Sequence, residues 1–308
     1  MALSSSVGTP HTPGKDPPLS EHDAEIAGLD ALDIPIAAAK GRLSRVWEGL
    51  WPKLAALALF FGGWQVIAWL ELKPSWVLPG PIPVLSEFWK IAWDGPNPDQ
   101  PHLLLHATMS TMQRAAFGYA VSVVIGVIIG LAVARSRILR AAVGSMITGL
   151  QTMPTIAWLP FAVLLFQLSE TAILFVVVLG AAPAIANGVI SGVDHIPPVL
   201  LRAGRVLGAR GFNSYRHIVL PAAFPGLVAG LKQGWAFCWR SLMAGELIVI
   251  IAAKPSLGVG LQYAREFADS ELMMAYMVAI FLIGIVIDAF FFAVLERSIR
   301  RRWGLGTA

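Results

Sequence analysis

LLRAGRVLGARGFNSYRHIVLP, residues Leu200–Pro221, is the stretch on which the fold turns. It is a basic, glycine-containing interruption between long apolar runs. Arg202, Arg205, Arg210 and Arg216 alternate with Gly204, Gly208 and Gly211. It follows Pro197-Pro198 and closes on Leu220-Pro221. The spacing predicts two short helices joined at a bend. Pro198 suits a helix start, Val199–Ala209 has helix-compatible spacing, and Gly208 and Gly211 can turn the chain. Asn213 or Ser214 can cap a second helix that ends before Pro221. The small residues leave backbone bare enough to enter a partner's groove, and the arginines can pair with carboxylates there. The same composition also serves as a plain anchor on one membrane face.

Working outward, the chain of 308 residues is 56% hydrophobic and 14% charged. An average soluble domain carries about 25% charged residues. So few charges cannot cover a soluble surface but suffice for a chain wrapped in lipid. The pattern is all-α and polytopic. Six spans are expected near 52–72, 103–134, 143–166, 171–193, 225–252 and 272–295, the third interrupted by Pro154 and Pro160. Gly41–Leu50 suits an interfacial elbow helix, and Pro83–Trp93 an amphipathic helix anchored by Trp89 and Trp93.

Residues 1–40 are acidic and rich in Ser, Pro and Gly, and read as a disordered cytoplasmic tail. They lack the basic start, apolar centre and small-residue cleavage site of a secretion signal. Residues 41–303 form one transmembrane domain with a loop at 195–222, and 304–308 are a C-terminal tail. The net charge of +4 does not indicate nucleic acid, because Lys and Arg cluster beside the spans. With both termini cytoplasmic, that side holds Arg135, Arg137, Arg140, the loop arginines and the final four arginines. The outer side holds only Lys73, Lys90, Lys254 and Arg265. The single cysteine, Cys238, allows no internal disulfide or cysteine metal cluster and reads as a packing residue. No metal site and no catalytic constellation stand out. His195 and His217 read as solvated loop residues.

Charges inside spans are costly and face a cavity or a partner. In the fifth span, Lys232, Trp235, Trp239, Leu242 and Glu246 form one helical stripe, with Gln233 and Arg240 beside it. Arg240 could hold an anion by two parallel hydrogen bonds, or could pair structurally with Glu246. Arg114, with Gln113, either lines the path or lies at a solvated helix end. Thr152 and Met153, beside Pro154 and Trp158, line the path or pack the core. Asp288 suits a buried helix-packing hydrogen bond or a proton-coupling site.

The opening stretch resembles the cytoplasmic EAA loop of ABC importer permeases: Glu-Ala-Ala, three residues, Gly, nine residues, Ile-x-Leu-Pro. Ala203, Gly208, Ile218, Leu220 and Pro221 match at that spacing. Gly204 replaces an alanine, and Arg202 stands at the glutamate position. The resemblance implies an ATPase-coupling segment, which Arg205, Ala209 and Arg210 complete. VLPGPIPVL, TMPTIAWLP at Thr152–Pro160, GWAFCWRSLMAGEL at Gly234–Leu247 and SLGVGL at Ser256–Leu261 resemble the permeases for nitrate, sulfonate, taurine and bicarbonate, most of all those for aliphatic sulfonates. The resemblance implies a type I importer fold and a homodimeric translocation subunit in the cell membrane. It also implies two cytoplasmic ATPase subunits that bind ATP and Mg, and an extracytoplasmic binding protein. The chain has no G-x-x-x-x-G-K-[ST] phosphate loop, so ATP hydrolysis belongs to another polypeptide. A self-sufficient secondary carrier or channel is the alternative. A membrane enzyme would need paired carboxylates, a His cluster or a nucleophile motif in the spans, and none is visible.

Overall fold

The computed structural model of the chain describes residues 42–71, 74–93, 102–251 and 254–302. The expected tails at 1–40 and 304–308 lie outside them. Two compact units separate at Gly62 and Gly63. The described part of the first unit is the beginning of helix α1.

Among the described residues every regular element is helical. α1 is Arg42–Trp69, α2 Pro81–Trp93, α3 Leu103–Arg135 and α4 Arg137–Thr152. A 3-10 turn at Thr155–Trp158 leads to α5, Leu159–Phe166. α6 is Glu170–Asp194, α7 Pro198–Val206, α8 Leu220–Ile248 and α9 Leu257–Glu266. α10, Ser270–Ile287, passes through a π turn at Asp288–Phe292 into α11, Ala293–Arg302.

By length and composition α3, α6 and Ser270–Ile299 can each cross a membrane. Leu54–Trp69 is a shorter apolar helix. α8 has 29 residues, about 43 Å at 1.5 Å per residue, and exceeds the hydrocarbon thickness of about 30 Å. With the α4–α5 pair these are the six apolar segments expected. Three details differ. The third segment is not one span: α4 and α5 meet at 102°, because Pro154 cannot donate to the helical ladder and the chain restarts with Pro160 at the head of α5. The first helix begins at Arg42 and passes through Pro52, so no elbow separates from it. The fifth begins at Leu220, with Pro225 inside it.

α6 lies at the centre of the packing. Lipid tails give helices no hydrophobic reason to associate, so close backbone approach must supply the contact. On one side, a Cβ on Gly126 of α3 would come 2.7 Å from Ala182 O, and one on Gly130 would come 2.8 Å from Ala186 O. On the other side, Gly188 and Gly192 of α6 face Gly230 and Gly226 of α8, backbone against backbone. Ala115, Leu159, Val176, Val177, Cys238 and Leu242 fill the core between α3, α5, α6 and α8. Cys238 is thus the packing residue expected, its thiol 3.7 Å from Ala115 O. A second core joins α2, the start of α3, α9 and α10 through Ile91, Leu104, Leu257 and Tyr276. On α2, Trp89 and Trp93 stack at 5.4 Å, both exposed, as an interfacial pair would be.

Candidate functional site

Three places carry the chemistry: the loop after α6, a groove along α8, and a buried ion-pair network at the far end of α8.

α7 starts with Pro198 at its first position and stops in a backbone motif. Gly208 N donates to Arg205 O at 3.1 Å and Ala209 N to Gly204 O at 2.9 Å. That is the Schellman pairing, with Gly208 at φ +82° in the left-handed region it requires. Gly211, at φ +56°, makes a second turn. Both bends fall on the glycines the sequence singled out. The return limb packs on α7 because Gly204 is buried and has no Cβ: the Ile218 side chain occupies that space. The small residue and the isoleucine of the motif are therefore partners. Arg202, Ala203, Arg205 and Arg210 are exposed around them, and Ala209 is half-buried. Arg202 has no ion pair among the described residues, and Arg205 Nε donates to Leu201 O at 3.3 Å. Val206 and Leu207, at the tip, are 87% and 86% exposed. The expected second helix does not stop before Pro221. Phe212–Ser214 continues through a π turn at Tyr215–Val219 straight into α8, with Leu220 and Pro221 as its first residues. The π turn carries the helix up to the proline, with Leu220 N donating to Tyr215 O, and Pro221 has no N–H to place in the ladder that follows.

Along α8, Lys232, Gln233, Trp235, Trp239 and Arg240 line a groove of about 540 Å³ closed by Gly284, Asp288 and Glu296. Lys232 Nζ lies 3.3 Å from Asp288 and 3.7 Å from Glu296. Asp288 is accordingly an ion-pair partner at a π turn, 54% exposed in the single chain, and not the buried acid expected. Trp235 and Trp239 stack at 6.2 Å. Arg240 Nε donates to Ala236 O at 3.0 Å, and its guanidinium lies 4.6 Å from the Phe237 ring centroid. Among the described residues Arg240 meets no carboxylate.

At the C-terminal end of α8, Glu246 is fully buried. Its oxygens accept from Arg114 Nη1 at 3.0 Å, Thr111 Oγ1 at 3.0 and 3.2 Å, and Gly258 N at 3.2 Å. Thr111 Oγ1 in turn accepts from Leu257 N at 3.0 Å, and Ser256 caps α9 through Val259 N at 3.3 Å. Arg114 Nη2 approaches Glu170 at 3.5 Å, and Lys254 Nζ binds the same oxygen at 2.8 Å. A buried carboxylate is tolerable only when paired and hydrogen-bonded. Here α3, α8 and the start of α9 meet on it, and α6 joins through Glu170 on Arg114.

The family described as binding-protein-dependent transport system inner membrane component matches residues 122–303, more than half of the chain. The chain belongs to that family. The taurine transport system permease protein TauC of Escherichia coli is 28% identical over 80% of this chain and 90% of its own. The nitrate import permease protein NrtB of Synechococcus elongatus is 27% identical over 76% and 84%. The putative aliphatic sulfonates transport permease protein SsuC of Bacillus subtilis is 25% identical over 79% and 84%. Among solved structures, inward-facing MetNI methionine ABC transporter matches with a TM-score of 0.57 and 22% identity, over 66% of this chain and 99% of that one. The likeness supports the type I importer permease fold. The chain is thus a multi-pass membrane subunit of an ABC transport system.

In this permease the residues singled out for the path separate into three groups. Gln233, Trp235, Trp239 and Arg240 share the groove. Arg114 and Glu246 form the buried network. Thr152 and Met153 are exposed at the α4 break, where Thr152 Oγ1 donates to Gly149 O at 2.8 Å. The suggested Arg240–Glu246 pair does not form. Six residues on one helix leave side chains about 120° apart, and Glu246 is held by Arg114. Nor is Arg114 a solvated helix end, since it is only 8% exposed. Thr111, Glu170 and the Leu257–Gly258 backbone were missed. Thr111 and Arg114 are three apart on α3, and that shared face was the available signal.

Proposed function

We propose that this permease works as a homodimer and forms the transmembrane path of an ATP-driven importer for a small oxyanion, with an aliphatic sulfonate as the substrate. Both termini would face the cytoplasm, a placement that the arginine distribution supports. Two ATPase subunits, carrying ATP and Mg, would dock on the 195–222 loop. An extracytoplasmic binding protein would deliver the substrate. The relatives named for taurine, nitrate and aliphatic sulfonates support the anion class.

The observation that carries the reading is the loop itself. Its apolar tip at Val206-Leu207 is bare, its two limbs are locked through Gly204 and Ile218, and its return limb enters α8 without a break. A push on α7 is then a push on α8, and α8 carries Arg240. With Nε committed to Ala236 O, both Nη groups of Arg240 are available for two parallel hydrogen bonds to an oxyanion. α8 is pinned at its other end by Glu246 and packed along its length on α6. Movement of α8 against these supports would alternate access to the groove.

A secondary carrier is the second reading. The Lys232–Asp288–Glu296 cluster, facing the groove, is a feature that an ion-coupled carrier could use. Proteoliposomes decide between the two. Uptake of an alkanesulfonate only with the ATPase subunits, ATP and the binding protein supports the importer. Uptake by this chain alone selects the carrier.

A further inference from the structure

At the end of the bundle where α3 and α6 finish and α8 begins, a cavity of about 810 Å³ opens. Leu131 of α3, Val189 and Val193 of α6 and Leu227 of α8 give it apolar walls. Its polar edge is made by Arg135, the last residue of α3, together with Tyr215 and Arg216 of the loop's return limb. Among the described residues no Asp or Glu lines it. The nearby Asp194 is held by Arg140 at 2.7 Å. Neither Arg135 nor Arg216 has an ion pair among the described residues. Arg135 instead lies 5.5 Å from the Tyr215 ring centroid.

The geometry points to a binding site for one anionic phospholipid, its phosphate between Arg135 and Arg216 and an acyl chain along the apolar walls. Arg135 ends a membrane span, so it stands at headgroup depth, and the walls run from there toward the hydrocarbon. Basic pockets between spans at this depth suit lipid phosphates. The apolar interior distinguishes a lipid from free phosphate, which has nothing to place there. The site joins α3 and α6 to the Tyr215–Val219 turn that leads from the loop into α8. An occupying lipid would therefore brace the loop against the bundle. Nothing in the proposal depends on which substrate is transported.

The test uses the purified full chain in detergent, with native mass spectrometry of retained dioleoyl-phosphatidylglycerol against dioleoyl-phosphatidylcholine. The expected result is preferential retention of one phosphatidylglycerol. Each arginine contributes roughly fivefold to that preference, so Arg135→Gln with Arg216→Gln should lower it roughly 30-fold. Val193→Trp, which fills the apolar wall and leaves both arginines in place, should lower retention of both lipids. Equal retention of the two lipids by the wild type would overturn the site. So would a preference that survives the double substitution, or retention unaffected by Val193→Trp. A Leu131→Cys variant that cross-links to a second copy of the chain would also overturn it, because the partner and not lipid would then fill the groove.

Discussion

Arg114 Nη1 lies 3.0 Å from Glu246 Oε1 across 132 residues of sequence, with Glu246 fully buried. The pair fastens the end of α8 to α3, and through Gly258 N and Leu257 N it holds the start of α9 as well. Removing Arg114 leaves the Glu246 carboxylate buried without a cation, at a cost of about 3–5 kcal/mol, and removing Glu246 leaves Arg114 with only the longer contact to Glu170 at 3.5 Å. Arg114→Ala and Glu246→Ala should each lower the melting temperature of the detergent-solubilised protein markedly. Replacing both by well-packed apolar residues should recover much of the loss. If the single variants melt like the wild type, the network is not a structural clamp.

Arg240 is predicted to behave in the opposite way. It is exposed to the groove and has no carboxylate partner among the described residues, so Arg240→Ala should leave melting and assembly unchanged. Loss of two charge-assisted hydrogen bonds to an anion should weaken apparent substrate affinity roughly 100-fold or more. Uptake kinetics of both proteins, measured with matched ATPase and binding protein, check this. A fall in melting temperature with unaltered affinity would assign Arg240 to structure.

Helix packing is tested at Gly188. A Cβ there runs into the Gly230 backbone, which is not the yielding end of a flexible side chain. Gly188→Leu must push α6 and α8 apart, a strain beyond the 1–3 kcal/mol or so of ordinary overpacking. The variant should lose its monodisperse gel-filtration peak. Gly149→Leu is the control, because among the described residues nothing lies within 4 Å of a Cβ at that position. Similar behaviour of the two variants would refute the close α6–α8 approach.

The loop bend was readable because only glycine meets φ +82° cheaply, so Gly208 announced itself. The spans were readable because apolar length is a property of the chain alone. The 102° break was partly readable from Pro154, but its angle depends on what α4 and α5 pack against. The ion pairs were not readable. Arg114 and Glu246 sit on helices far apart in sequence, and helical periodicity reports only a residue's own helix. Reading Arg240 with Glu246 favoured nearness in sequence over the face each presents. The Lys232–Asp288 pair was hidden for the same reason. Val206 and Leu207 escaped notice because two apolar residues in a basic loop look like core until their exposure is known.

In the proposed cycle α7 receives the force of ATP hydrolysis and passes it to α8. The most direct test is Leu207→Asp in proteoliposomes containing the whole transporter, with uptake and ATP hydrolysis followed together. Leu207 makes no internal core, so the fold should survive, while a buried aspartate at an apolar docking tip costs several kcal/mol. Substrate uptake and substrate-stimulated ATP hydrolysis should both fall at least tenfold, with the permease still inserted and melting as the wild type does. Unchanged uptake and unchanged stimulation in that variant would contradict it.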